Sequence, residues 1–114
     1  MLNLVVIRAR DVQRLVRFYE VLGLQFTKHR HGNGPEHLSS EMGAIVFEIY
    51  PAGATESTAS TRLGFTVPSL EAALKELRVL DATVLTEPAD TPYGRRAVVK
   101  DFEGHKVELY EKSV

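Results

Sequence analysis

The chain of 114 residues has no cysteine. That excludes disulfides, thiolate metal ligands and a cysteine nucleophile. Charge of one sign is also missing: 14 basic residues face 15 acidic ones, for a net charge of -1. No basic block stands out, so nucleic acid is not an expected partner. No apolar run approaches membrane-spanning length, so no membrane partner is expected either. The opening MLNLVVIRAR has neither a charged lead-in nor a long apolar core, and it is not read as a signal peptide. A cytoplasmic location is the default for such a chain. No Ser/His/Asp arrangement, phosphate-cradling glycine loop or dinucleotide fingerprint is visible. What remains is the composition of a folded domain, 44% hydrophobic and 25% charged, at a length that suits one domain.

The order of elements is legible from periodicity. Residues 2–8, LNLVVIR, read as a short buried strand. Asp11 stands where a helix N-cap would. Val12, Leu15, Val16, Tyr19 and Leu22 follow at helical spacing, with polar Gln13, Arg14, Arg17 and Glu20 on the other side and Gly23 as a stop. Leu24–Lys28 alternates like a strand, HGNG (31–34) is a turn, and Glu36–Glu41 and Ala44–Tyr50 are two more strands. The second half repeats the scheme. Thr61–Val67 is a strand closed by Pro68, and Ser69 caps a helix striped by Leu70, Ala73, Leu74 and Leu77. Strands at Thr83–Thr86, Arg96–Lys100 and Lys106–Glu111 complete it, with DFEG (101–104) as a turn.

A shift of 58 carries Asp11 onto Ser69, Val16 onto Leu74, Tyr19 onto Leu77 and Leu22 onto Leu80. The pattern is βαβββ, twice, an internal repeat. It implies an α+β fold of two modules, 1–50 and 61–114, joined by a linker at 51–60, PAGATESTAS. Each half is too small to bury a core alone, so the two are expected to pack together. Two segments near the module ends, VFEIY (46–50) and KVELY (106–110), set a carboxylate inside an apolar run. Side chains alternate along a strand. Phe47, Ile49, Val107 and Leu109 should therefore meet helices, while Glu48, Tyr50, Glu108 and Tyr110 share the opposite faces.

The pieces RARDVQRLVRFYEVLGL (8–24), TRLGFTVPSLEAALKEL (61–77) and DFEGHKVELYE (101–111) resemble the vicinal oxygen chelate superfamily. That group includes glyoxalase I, bleomycin-resistance proteins, fosfomycin-resistance enzymes and extradiol dioxygenases. The resemblance covers almost the whole chain. It implies curled mixed sheets around a ligand cavity, a homodimer and, in enzymatic members, a divalent metal. The four family ligand positions fall on Leu4, Glu48, Arg62 and Glu108. Only the two glutamates could ligate, since leucine has no donor atom and arginine stays protonated. Such a site needs about three protein ligands. No metal cofactor is therefore expected, and Arg62 is read as supplying the positive charge in a metal's place. The bland alternative sends Glu48, Glu108 and Arg62 to solvent at a sheet rim.

Ligand-contacting candidates are Glu48, Glu108, Arg62, Tyr50, Tyr110 and His37. Phenols suit small-molecule sites because an apolar ring carries a hydrogen-bonding tip. His29 and His31 could chelate, but beside the HGNG turn they read as a solvated loop. His105 is expected to shape its turn, and Arg95 and Arg96 to sit in a solvated loop before the seventh strand; the resemblance implies, as the alternative, that this loop borders the cavity and that Arg95 or Arg96 meets an anionic ligand. Three functions stay open. The favoured one is a metal-free binder of the bleomycin-resistance type. The second is a divalent-metal-dependent lyase, isomerase or dioxygenase of the same superfamily. The third is a protein that works through protein contacts with a vestigial cavity. No catalytic residue is assigned.

Overall fold

Asp11 and Ser69 act as the caps their spacing predicts. Asp11 accepts from the Arg14 amide and Ser69 Oγ from the Ala72 amide, both at 3.1 Å, so each satisfies a free donor of a first helical turn. In the computed structural model, which describes residues 1–113, the helices that follow are α1 (Val12–Val21) and α2 (Leu70–Val79). The Glu111 carboxylate accepts from the Leu70 amide at 3.0 Å and satisfies a second donor of α2. No helix among the described residues is long and apolar enough to cross a membrane.

The first module sets α1 among β1 (Leu4–Ala9), β2 (Thr27–His29), β3 (His37–Met42) and β4 (Ile45–Pro51), in sheet order β1-β4-β3-β2. The second sets α2 among β5 (Arg62–Val67), β6 (Thr83–Thr91), β7 (Gly94–Lys100) and β8 (Lys106–Glu111), in order β5-β8-β7-β6. In each, the first and last strands are parallel and the other pairs antiparallel. The βαβββ repeat is therefore the fold, with open, curled, mixed sheets.

Each helix covers one sheet face. Leu15, Val16, Phe18 and Tyr19 of α1 are buried with Ile7, Phe47 and Ile49. The rings of Tyr19 and Phe47 lie 5.1 Å apart in a tilted pair. In the second module Leu70, Leu74 and Leu77 are buried with Val99, Val107 and Leu109. Burying a side chain of this size contributes about 1.5–3 kcal/mol. That energy fixes strand register, because a slip of one residue would send Glu48 or Glu108 under a helix.

Several expectations need correction. β1 is not buried along its length, as Leu2 and Leu4 are exposed. β2 begins only at Thr27, where pairing with Ser39 starts. β6 runs to Thr91 instead of stopping at Thr86. It is an edge strand and its register shifts on either side of Thr86, so Pro88 sits where the ladder is already broken. Gly94 begins β7, which puts Arg95 and Arg96 on a strand and not in a loop. The expected linker is shorter than 51–60. The chain divides into two units, Met1–Thr58 and one beginning at Ala59. Thr58 Oγ1 accepts from the Arg8 amide at 3.0 Å and the Glu56 carboxylate lies 3.6 Å from Arg8, which ties residues 56–58 to β1.

The turn at 101–105 is built as expected around His105. Asp101 Oδ1 accepts from the Glu103 and His105 amides at 2.9 and 3.0 Å, and the His105 ring Nδ1 lies 2.8 Å from Oδ2. Both side chains are fully buried.

The repeat is unequal where each helix ends. Gly23 follows α1 at φ 102°, and the same offset of 58 places Asp81 after α2 at φ 66°. Asp81 is the only described non-glycine residue with positive φ. Left-handed backbone costs a residue with a Cβ about 1 kcal/mol. Asp81→Gly is expected to raise the urea midpoint by about that stabilisation, while Gly23→Ala lowers it. A midpoint unchanged in Asp81→Gly would show that the aspartate is unstrained there.

Candidate functional site

The face of each sheet turned away from its helix carries the candidate residues. In the first module, strand register arranges them in rows. Arg8 pairs with Tyr50, and His29 with His37. The Tyr50 ring stacks on His37 at 4.0 Å and 9°, while the Arg8 guanidinium lies 5.1 Å from the Tyr50 centroid. The row therefore reads Arg8, Tyr50, His37, His29 across four strands. The next row is Val6, Glu48, Ser39, Thr27. In the third, Leu4 and Glu41 flank Val46.

Glu48 sits in the middle of this face, hydrogen-bonded by a hydroxyl and flanked by a ring. Ser39 Oγ donates to its Oε2 at 2.6 Å, and His37 Nε2 lies 3.3 Å from the same oxygen. His37 is 1% exposed. Its Nδ1 lies 3.3 Å from the Pro35 carbonyl. Nε2 is within ion-pair reach of Glu48 yet makes no hydrogen bond among the described residues. A buried polar atom in that state is costly. Beside it opens a pocket of about 630 Å³ lined by Gln25, Thr27, His29, His31, Ser39, Glu41, Val46 and Glu48. Two carboxylates line it and no lysine or arginine does.

His29 and His31 both line this wall and are exposed; His31 lies in the loop as expected, while His29 does not. His29 is on β2. Its ring stacks with His31 at 6.4 Å and 14°, and the His31 ring lies 5.1 Å from His37. The histidine spacing in the sequence is the signal that could have found them. The turn beside it masked the fact that both rings lean back over the sheet.

The second module treats its glutamate differently. Glu108 accepts from Arg96 Nε on one carboxylate oxygen at 2.7 Å and from Arg62 Nε on the other at 3.2 Å. The Arg96 hydrogen bond is the main cause that holds the Glu108 carboxyl below its ordinary range, with Arg62 adding to it against partial desolvation. Arg62 is thus a real partner, but a wet one, with 49% of its side chain exposed against 27% for Arg96. Sequence reasoning began the seventh strand at Arg96 and read that residue with the solvated loop before it, so its bond to Glu108 was not foreseen. Tyr110 pairs with Arg96 and Thr66 in the adjacent row.

With this geometry in view, the comparisons with known proteins are decisive for the family. The sequence pattern of the Glyoxalase/Bleomycin resistance protein/Dioxygenase superfamily matches residues 1–109. The chain belongs to that superfamily. A protein of Mycolicibacterium smegmatis described only as uncharacterized is 23% identical over 108 residues, spanning 95% of this chain and 90% of its own. TnmS3, an antibiotic binding protein from Streptomyces sp. CB03234, superimposes with a TM-score of 0.78 at 21% identity, over 99% of this chain and 96% of its own. A glyoxalase-related enzyme from Fulvimarina pelagi gives 0.76 at 17% identity, over 98% and 88%. At such identities these structures share the fold.

The superfamily's metal does not fit the donors present here. In the first module, Leu4 lies opposite Val46 and offers no donor atom, and Glu48 Oε2 is already engaged by Ser39. In the second, Arg62 binds Glu108 as a cation. Among the described residues, no group of three or more histidine, aspartate or glutamate side chains is arranged to hold a metal ion.

Arg96→Ala is expected to destabilise the fold at neutral pH by about 1–2 kcal/mol. Arg62→Ala should cost less than about 1 kcal/mol, because its side chain is half in solvent. The sign of the pH dependence follows from the lowered Glu108 pKa. A depressed carboxyl stabilises the fold above its ordinary range, and the gain is lost as pH falls through the folded value. The gap between wild type and Arg96→Ala should therefore close in acid. A urea series in which the gap stays constant down to the acid limit would remove Glu108 from the explanation.

Proposed function

We propose that this chain is a metal-free, cytoplasmic binding protein of the glyoxalase/bleomycin-resistance type, which sequesters or senses a small molecule on the helix-free faces of its sheets. The first-module pocket carries this reading: its volume of about 630 Å³ lies within the range of small-molecule sites. Its lining is rich in acceptors, with Glu41, Glu48, Thr27, Ser39 and Gln25, and its histidine rings offer stacking surfaces. That favours a ligand with a flat ring and N–H or O–H donors. His37 and Tyr50 back the pocket beside Glu48, while Glu108, Arg62 and Tyr110 are the corresponding contacts on the second module. That TnmS3 is an antibiotic binding protein supports the same class of role. A homodimer is part of the proposal, supported by exposed Leu2 and Leu4 at one end of the first module.

The test is a panel of aromatic, amine-bearing natural products, followed by amide chemical shifts. At least one compound should bind saturably and shift Thr27, Ser39 and Glu48. Ser39→Trp, which fills the pocket, should weaken it by at least about tenfold. Equal affinity in Ser39→Trp would move the site elsewhere. Native mass spectrometry of the same samples should read twice the chain mass of 12.7 kDa.

Elemental analysis of protein grown in metal-supplemented medium separates the metal-free reading from the metal-dependent lyase, isomerase or dioxygenase. No stoichiometric zinc, nickel, iron or manganese is expected. One equivalent per chain would overturn the metal-free assignment.

A further inference from the structure

Three cations stand side by side on the helix-free face of the second module. Register pairs Arg62 with Lys106 across β5 and β8, and Lys106 with Lys100 across β8 and β7. Like charges placed directly opposite on one sheet face repel and destabilise the pairing. Here the repulsion is relieved only at Arg62, by Glu108. Neither Lys100 nor Lys106 has a carboxylate partner among the described residues. Arg96 stands two residues from Val98, on the same face of β7 as Lys100. The face thus holds four cations, Arg62, Arg96, Lys100 and Lys106, around one anion, Glu108. The whole chain has a net charge of -1, so composition does not produce this concentration.

The geometry inside the patch is specific. Each arginine uses only its Nε–H on Glu108. The terminal nitrogens of both guanidinium groups have no partner among the described residues. A guanidinium edge is a planar pair of donors that matches a carboxylate or phosphoryl group bidentately. Glu108 has one oxygen on each arginine, so it positions both forks. Gly64 pairs with Glu108 in register. A Cβ at Gly64 would meet only the Glu108 carbonyl oxygen, at 3.8 Å, so the space above it is open. A bare glycine between two tethered arginines leaves room for an anion that any longer side chain would fill.

We propose that this face binds a small, multiply charged oxyanion, with Arg62 and Arg96 gripping it and Lys100 and Lys106 supplying the remaining charge. The ligand class is a compound bearing phosphoryl or carboxylate groups. This goes beyond the first-module reading and draws on residues of the second module alone. An unoccupied row of like charges is a cost to the fold, and a bound oxyanion turns that row into an attraction. Binding therefore stabilises the folded chain by mass action.

The experiment uses the whole chain with pyrophosphate and citrate as probes and sodium chloride at matched ionic strength as the control. Calorimetry should show saturable binding of at least one probe, and amide shifts should cluster at Gly64, Lys100 and Lys106. Tighter pyrophosphate identifies phosphoryl ligands, and tighter citrate identifies carboxylates. The double variant Lys100→Gln, Lys106→Gln changes two exposed side chains and leaves the core intact. It should lose at least about tenfold in affinity, with recovery in Lys100→Arg, Lys106→Arg. Unchanged affinity in the double glutamine variant overturns the proposal, as does a response no greater than that to chloride. Ser39→Trp in the first module should leave the anion affinity as it is. If anions bind while the aromatic panel does not, the first-module reading fails and this one stands. The reverse result removes only this one.

Discussion

Alternation along β4 and β8 is the constraint on which both modules depend. Phe47, Ile49, Val107 and Leu109 must lie under a helix to bury their apolar area. A strand has no way to turn one residue without turning its neighbours. Glu48 and Glu108 are therefore delivered to the helix-free faces by the same energy that packs the cores. A carboxylate in a partly dry place needs a partner, and everything specific about the two faces follows from how each is given one. In the first module it is the Ser39 hydroxyl, with the His37 ring 3.3 Å away. In the second it is two guanidinium groups, Arg96 and Arg62.

Internal duplication makes these differences readable as substitutions in one frame. Both helices are capped by an oxygen at the same offset, and both modules close with matching backbone bonds, Ala52 to Ala9 and Lys112 to Val67. Within that shared frame, His37 beside Tyr50 in the first module corresponds to Arg96 beside Tyr110 in the second. The shared frame carries stability. The helix-free rows are free to diverge, since changing them leaves the apolar faces under the helices untouched.

Most of the architecture was legible because it rests on local chemistry. Caps at Asp11 and Ser69, the leucine stripes, and the alternation at 46–50 and 106–110 each depend on residues a few positions apart. The misplaced pieces depend on partners far along the chain. β6 passes through Pro88, which locally argues for an end. It continues because it is an edge strand with an irregular ladder, a property of the sheet and not of the segment. The site divides along the same line. Glu48, Glu108 and their tyrosines followed from alternation. Arg62 was found through the family positions, and its pairing with Glu108 is present, though with too much solvent to be the buried replacement for a metal. Arg96 was lost because a strand boundary drawn at residue 96 hides which face that residue takes.

The histidines show why composition alone misjudges such a face. His29 and His31, taken singly, read as ordinary polar residues beside a turn, and His37 as a lone histidine on a strand. Register changes this. His29 pairs with His37, His37 stacks on Tyr50, and Arg8 lies over Tyr50, so four strands contribute one continuous row of rings and a guanidinium. Stacking is what buries His37, and burial is what leaves its Nε2 dependent on Glu48. The carboxylate thus answers to two neighbours that are themselves fixed by the sheet: a hydroxyl opposite it on β3 and a ring wedged between aromatic partners. Such a carboxylate has little rotational freedom left, so its lone pairs meet the pocket in a fixed direction. Preorganisation of that kind lets a binding site recognise a ligand without first ordering its own side chains.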